Sequence, residues 1–218
     1  MKVLEIDNVE LSFKNKAILN AVYFKAEKGK ITGILGSNGS GKSSLLRILF
    51  GELKPTNKLI RIDSKPILKP LYAVSNISSL PQFSFVPSSF SLRKIFRIYN
   101  LDLESFCTLF SSFEKLVNFR FSKFSGGERR LIETYITIKS NVDIVLLDEP
   151  FSHLSPIYNE VLKKVILAEK ENKIIVLTDH LYKNILELSD DVYLLKDGWS
   201  KKISSPEELI HYNYIYSL

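Results

Sequence analysis

The stretch ITGILGSNGSGKSSLLRILFG, residues 31 to 51, restricts the fold of this chain more than any other. A short apolar run, ITGIL, ends in a loop with glycines at 36, 39 and 41. Leu45, Leu46, Ile48 and Leu49 then recur at helical spacing, and Gly51 stands where a helix would stop. A buried strand that feeds a helix through a tight loop is the repeating unit of an α/β sheet. The glycines let the backbone expose consecutive N–H groups, and the positive end of the helix dipole points into the same concavity, a nest suited to a polyphosphate. Lys42 supplies a full positive charge for β and γ phosphates, and Ser43 a hydroxyl oxygen of the kind Mg²⁺ prefers. The spacing G-x4-G-K-[ST] arises by chance in about one such chain in two hundred, and the strand–loop–helix context makes an ordinary glycine turn a poorer reading still.

The rest of the chain is organised around that unit. Residues 2 to 13 and 17 to 25 alternate apolar and polar, consistent with antiparallel strands split by Lys14-Asn15-Lys16. Residues 54 to 90, rich in proline and serine, read as loops holding short strands, KLIRID the clearest. Residues 91 to 122 read as helical, with Phe96, Phe106, Phe110 and Phe113 as anchors. After Gly127 a helix runs to about Lys139. VDIVLL and KIIVLT then flank a helical segment from about 156 to 170, the strand–helix–strand pattern of a parallel sheet covered on both faces. DVYLL is a last strand before the turn Lys196-Asp197-Gly198, and SPEELI starts a short terminal helix.

Composition bounds the partners. At 218 residues one α/β domain is expected, and no apolar run approaches the ~18 residues of a membrane span. The N-terminus lacks the pattern of a signal peptide, and the lone Cys107 reads as a small buried hydrophobe in a reduced, cytoplasmic setting. The net charge of +6 is spread along the chain, and pairs such as Arg129–Arg130, Lys163–Lys164 and Lys201–Lys202 read as solvated faces. With no basic stripe interleaved with aromatics, nucleic acid is not an expected partner.

The second chemical feature is LLDEPFSHLSP, residues 146 to 156, where an apolar strand ends in Asp148 and Glu149. Successive residues leaving a strand point in different directions, so one acid can face a metal and the other an attacking water. A solvated loop pair is a poor alternative directly after an apolar run and in a chain with a phosphate loop.

Taken in order, these motifs resemble the ATP-binding subunit of ABC transporters over nearly the whole chain. GSNGSGKS (36–43) is similar to that family's Walker A loop, IVLLDE (144–149) to its Walker B strand, and FSGGE (124–128) to its signature L-S-G-G-Q, with Gly126 standing 22 residues before Asp148. The resemblance implies a P-loop NTPase of the ABC ATPase fold: α/β with a mostly parallel sheet, an N-terminal antiparallel β-subdomain, and an inserted helical subdomain at 83–122 within a single domain 1–218. It implies ATP contacts from Gly36, Ser37, Asn38, Gly39, Ser40, Gly41, Lys42, Ser43 and Ser44, and a Mg²⁺ site at Ser43, Gln82 and Asp148. Gln82, in SLPQ, matches the family's Q-loop glutamine; Glu149 matches its water-activating base, His180 in LTDH its switch histidine, and Phe13 the aromatic that stacks on adenine, with Tyr23 and Phe24 as nearby alternatives.

Ser125, Gly126, Gly127 and Glu128 would close in trans over ATP held by a second subunit, in a head-to-tail dimer of this chain with itself or a paralogue. The partner would be an integral membrane transporter subunit on a separate chain, with this chain peripheral on the cytoplasmic face. The alternative is a soluble ABC-type ATPase acting as an assembly or regulatory switch, and a third reading is a module that dimerises on ATP with little hydrolysis. One departure stands out: the family's S-x-L-D after the Walker acids is Ser152-His153-Leu154-Ser155 here. Chemistry is expected to survive that change, and communication between the two sites to be altered.

Overall fold

A computed structural model describes residues 2–14 and 16–215. Two sheets organise it. The N-terminal strands β1 (Val3–Phe13) and β2 (Lys16–Glu27) pair antiparallel, Val3 opposite Glu27 and Phe13 opposite Lys16. Asn15, in the middle of the expected turn between them, lies outside the described residues. Strand β3 (Ile31–Leu35) leads into the phosphate loop and α1 (Lys42–Phe50), which ends at Gly51 in the left-handed conformation, φ 106°. Strands β4 (Asn57–Ile62) and β5 (Lys65–Ile67) complete the antiparallel sheet in the order β2-β1-β4-β5.

A single turn, α2 (Leu71–Val74), precedes β6 (Ile77–Leu80). The expected helical region resolves into α3 (Leu92–Ile98), α4 (Leu103–Leu109) and short 3₁₀ turns, closed by a bridge between Ser91 and Arg120. The chain continues through α5 (Gly126–Lys139), β7 (Ile144–Asp148), α6 (Pro156–Glu169), β8 (Ile174–Thr178), α7 (Tyr182–Leu188), β9 (Asp191–Lys196), β10 (Trp199–Ile203) and α8 (Glu207–His211).

The second sheet runs β10-β9-β3-β8-β7-β6, parallel except for β10. Strands β3, β7 and β8 are buried at every residue, which is why they read as unbroken apolar runs. In a parallel sheet every strand delivers its next loop to the same edge, where ligands bind. Here β3, β8, β7 and β6 are consecutive neighbours, so the loops beginning at Gly36, Asp179, Glu149 and Pro81 emerge side by side. The strand ISSL, within the region expected to hold short strands among loops, is the edge member of this sheet, a place that tolerates its two serines.

The four phenylalanines do anchor the helical region. Phe106 packs at centroid distances of 4.9, 5.0 and 5.1 Å from Phe96, Phe110 and Phe113, and 4.9 Å from Tyr135 of α5. This aromatic cluster belongs to the same core as β3, β7 and β8, so α3 and α4 are fastened to the sheet through α5. Cys107 is buried within it, and burial pushes its thiol pKa up.

Two of the expected solvated pairs are corrected. Arg130 and Lys163 are each 7% exposed: α5 and α6 turn one member of each pair inward, where Arg130 meets backbone carbonyls and Lys163 bonds Glu160 and Glu187. Lys201 and Lys202 are exposed as expected.

Candidate functional site

The phosphate loop begins where β3 leaves the sheet. Ser40 N donates to Ser37 O at 3.1 Å, closing a turn, and Gly41 takes φ 102° to start α1. A β-carbon at Gly41 would come within 2.7 Å of Leu19 Cδ2, so both conformation and space demand glycine there. No side chain caps α1, which leaves its first N–H groups to an anion. Lys42 is 5% exposed and folds back to donate to Gly36 O at 2.7 Å and Ser37 O at 3.1 Å. Burial lowers its pKa, opposed by the nearby carboxylates of Glu149, Asp148 and Asp179.

A cavity of about 440 Å³ opens above the loop. It is lined by Asn38, Gly39, Gly41, Lys42, Ser43 and Ser44 of the loop and the start of α1, by Gln82, Glu149 and His180, and by Phe13 and Ile18. Three separate loops, from β6, β7 and β8, thus face the nest. Phe13 is half-exposed, whereas Phe24 is buried at 1% exposure and Tyr23 does not line the cavity. Gly36 and Ser37 border an adjoining hollow with His180, Tyr182 and Tyr214; Ser40 Oγ is buried without a partner.

The paired acids diverge as their position requires. Asp148 is the last residue of β7, 4% exposed, and its Oδ1 accepts from Thr178 Oγ1 at 2.7 Å. Glu149 follows with φ 51°, a left-handed conformation that glutamate rarely takes, and this twist sends its carboxylate into the cavity. Thr178 O accepts the Glu149 N–H at 2.9 Å, and Ser152 Oγ donates to Glu149 Oε2 at 3.2 Å. His180 Nδ1 lies 3.7 Å from Glu149 Oε2 and 3.6 Å from Asp179 Oδ1, beyond hydrogen-bond contact but close enough for each carboxylate to attract an imidazolium.

Ser125, Gly126, Gly127 and Glu128 stand outside this cavity. Ser125 caps α5, accepting from Glu128 N at 3.2 Å while Glu128 Oε2 accepts from Ser125 N at 2.7 Å, a reciprocal capping box. Glutamate at 128 is therefore occupied with its own helix. Gly126 has open space where a side chain would be, but a β-carbon on Gly127 would meet His153 O at 2.3 Å. The signature turn and the loop after Glu149 are thus packed backbone to backbone. Ser155 has a local task too: it is the N-cap of α6, accepting from Tyr158 N at 3.4 Å, with Pro156 at the first helical position.

Three residues near the site were not singled out from sequence. Asp179, fully buried, accepts from Leu181 N at 2.7 Å, and its Oδ2 finds no hydrogen-bond partner among the described residues; burial raises its pKa. Its place beside His180 in LTDH was the available signal. Arg130 reaches the carbonyls of Pro81, Asp148 and Glu149, and Glu133 accepts from the segment after Gln82. Their spacing on α5 offered a signal only once its apolar face was known.

This geometry defines a nucleotide-binding α/β protein of the P-loop class. The family follows from comparison: a family model described as ABC transporter matches residues 19–152, more than half of the chain, and the chain belongs to that family. It is similar to an uncharacterized ABC transporter ATP-binding protein of Methanocaldococcus jannaschii, 29% identical over 203 residues that cover 89% of this chain and 74% of the relative. The lipopolysaccharide export system ATP-binding protein of Haemophilus influenzae is 27% identical over 227 residues, covering 97% of this chain and 94% of that protein. A solved structure, the ATP-binding subunit of an ABC transporter, shares the fold with a TM-score of 0.79 at 18% identity, over 99% of this chain and 95% of its own. The chain is an ATP-binding protein of the ABC transporter family, and the proteins of this class are ATPases.

Proposed function

We propose that the chain binds ATP with Mg²⁺ on the α1 loop, pairs head-to-tail with a second copy or a paralogue, and hydrolyses ATP to power a membrane transporter subunit carried on a separate chain, at the cytoplasmic face. The observation that carries this reading is the division of parts: Lys42, Ser43, Gln82, Glu149 and His180 converge on one cavity, while Ser125, Gly126 and Gly127 do not line it. A second molecule, turned about, would bring its own Ser125–Gly127 turn to the open side of that cavity.

Hydrolysis of a phosphoanhydride asks mainly for charge neutralisation and a positioned water. The uncapped N–H groups of α1 and the Lys42 ammonium take the phosphate charge. Glu149, aimed inward by its backbone twist, accepts the proton of the attacking water, and His180 beside it holds the γ-phosphate end. The Ser43 hydroxyl, the Gln82 amide oxygen and the Asp148 carboxylate are all hard oxygen donors, a set that fits Mg²⁺. An ion held by these residues would supply charge neutralisation at the β and γ phosphates. Asp148 is held in place for this by Thr178.

For the transporter role, the support is the relatives' shared description as ATP-binding proteins with different named cargoes, lipopolysaccharide in one and zinc in another. Among the described residues no helix is long and apolar enough to cross a membrane. Beside Gln82, Phe83 is 63% exposed, and Ile98 and Tyr99 of the helical region are exposed as well, an apolar surface suited to a docking partner.

The test is Glu149→Gln. The variant keeps ATP binding, loses turnover, and accumulates as a dimer when sized with ATP and Mg²⁺. If it stayed monomeric with ATP bound, the head-to-tail scheme would be wrong; if it turned over like the parent, the role of Glu149 would be wrong.

A further inference from the structure

Helix α5 carries two buried charged side chains one turn apart, Arg130 at 7% and Glu133 at 1% exposure. Its other buried positions are apolar or aromatic apart from Thr134 and Thr137, whose hydroxyls donate to carbonyls of the same helix. A charge taken out of water is costly unless it is fully hydrogen-bonded, so their contacts matter. Arg130 Nη1 donates to Pro81 O at 2.6 Å, Nε to Glu149 O at 3.2 Å, and Nη2 to Asp148 O. Glu133 Oε1 accepts from Ser84 Oγ at 2.6 Å, Phe85 N at 2.9 Å and Val86 N at 3.1 Å.

The two side chains therefore seize the chain on either side of Gln82 and Phe83. Pro81 is held by Arg130 and Ser84 to Val86 by Glu133, and the residues between are the ones that face the cavity and the solvent. The same guanidinium also bonds the carbonyl of Glu149, whose φ of 51° needs outside support. A planar fork suits this, since its donors are spread over three nitrogens in fixed directions, whereas an ammonium's three donors radiate from one atom.

We propose that Arg130 and Glu133 are positioning residues that make α5 a strut between the Gln82–Phe83 segment and the Glu149 carboxylate, so that movement of that segment is felt where water is activated. This rests on the proposed role of Glu149, and the helix that acts as strut is the one whose N-terminus carries Ser125 and Gly126.

The test uses the full chain with Arg130→Gln, Arg130→Lys, Glu133→Ala and Glu133→Gln. The assays are ATP-binding stoichiometry, steady-state turnover, and the ATP response of a dye on Phe83→Cys in a Cys107→Ala background, Cys107 being the only cysteine. Arg130→Gln should bind one ATP with KM within about threefold of the parent and kcat at least about tenfold lower, and Arg130→Lys should recover part of the loss. Glu133→Gln, which retains an acceptor oxygen, should behave like the parent, whereas Glu133→Ala should lose the dye response with ATP still bound. The proposal is overturned if Arg130→Gln and Glu133→Ala, at full stoichiometry, keep kcat within about twofold and an unaltered dye response. Should Arg130→Gln fail to fold, Glu133→Ala decides by the same comparison. Glu149→Gln run alongside separates the two ideas: unimpaired turnover there refutes the role of Glu149, whereas normal Arg130 and Glu133 variants with an inactive Glu149→Gln refute the strut alone.

Discussion

Replacing Lys42 by methionine removes one charge from a buried position with little change of volume, and the structure allows its effect on nucleotide affinity to be worked out. A phosphate charge about 4 Å from the ammonium is worth roughly 4 kcal/mol at an effective dielectric near 20. Against this, Lys42 already donates to Gly36 O and Ser37 O, and giving up one charge-assisted hydrogen bond to reach a phosphate costs about 2 kcal/mol. The net contribution is then about 2 kcal/mol, or roughly a thirtyfold weaker Kd in the variant. Titration of a fluorescent ATP analogue, with calorimetry to fix the stoichiometry, measures it directly. A Kd within about twofold of the parent at one ATP per chain would refute the reasoning, because it would mean that the ammonium stays on its own loop when nucleotide binds. A loss beyond about a thousandfold would also count against it, since the full Coulomb term is then expressed without the competing carbonyls.

Other expectations concern neighbouring loops. Ser155→Asp should leave stability nearly unchanged, because aspartate caps a helix as well as serine does, while altering the cooperativity of turnover; identical cooperativity would remove Ser155 from the coupling between sites. Asp179→Asn should alter how stability depends on pH. Burial raises the Asp179 pKa above its ordinary 3.8, so the folded state binds the proton more tightly than the unfolded one. Stability is then greatest below that ordinary value and declines as pH rises through the folded value. The asparagine variant should flatten this decline, and parallel urea midpoints for the two proteins from pH 4 to pH 8 would contradict it.

The parts of the site that depend on local backbone chemistry were legible in the sequence. Glycine at 41 is required by a left-handed φ, Lys42 opens the helix directly after it, and the Asp148–Glu149 pair stands at the end of a fully buried strand. What stayed hidden depends on contacts between distant segments. Arg130 looks like half of a surface pair until β6 and β7 are placed side by side and their carbonyls appear beneath it. The strand at Ile77–Leu80 carries two serines where its edge position relaxes the demand for apolar side chains. Strand β10 and helix α7 carry no motif, and only pairing with β9 and packing on β3 reveal them. Ser155, conspicuous as a missing acid, has a reason to be serine that no motif comparison contains: it starts α6.

The left-handed backbone of Glu149 also bears on how such a chain drifts. A non-glycine residue in that conformation costs on the order of 1 to 3 kcal/mol, a sizeable fraction of a typical domain's margin. Glycine, asparagine or aspartate would sit there with less strain. On the proposed role of Glu149, copies of this chain freed from selection for turnover should gain fold stability by losing this glutamate, so a relative with a complete phosphate loop and glycine at this place would be a retired enzyme that folds better than its working ancestor.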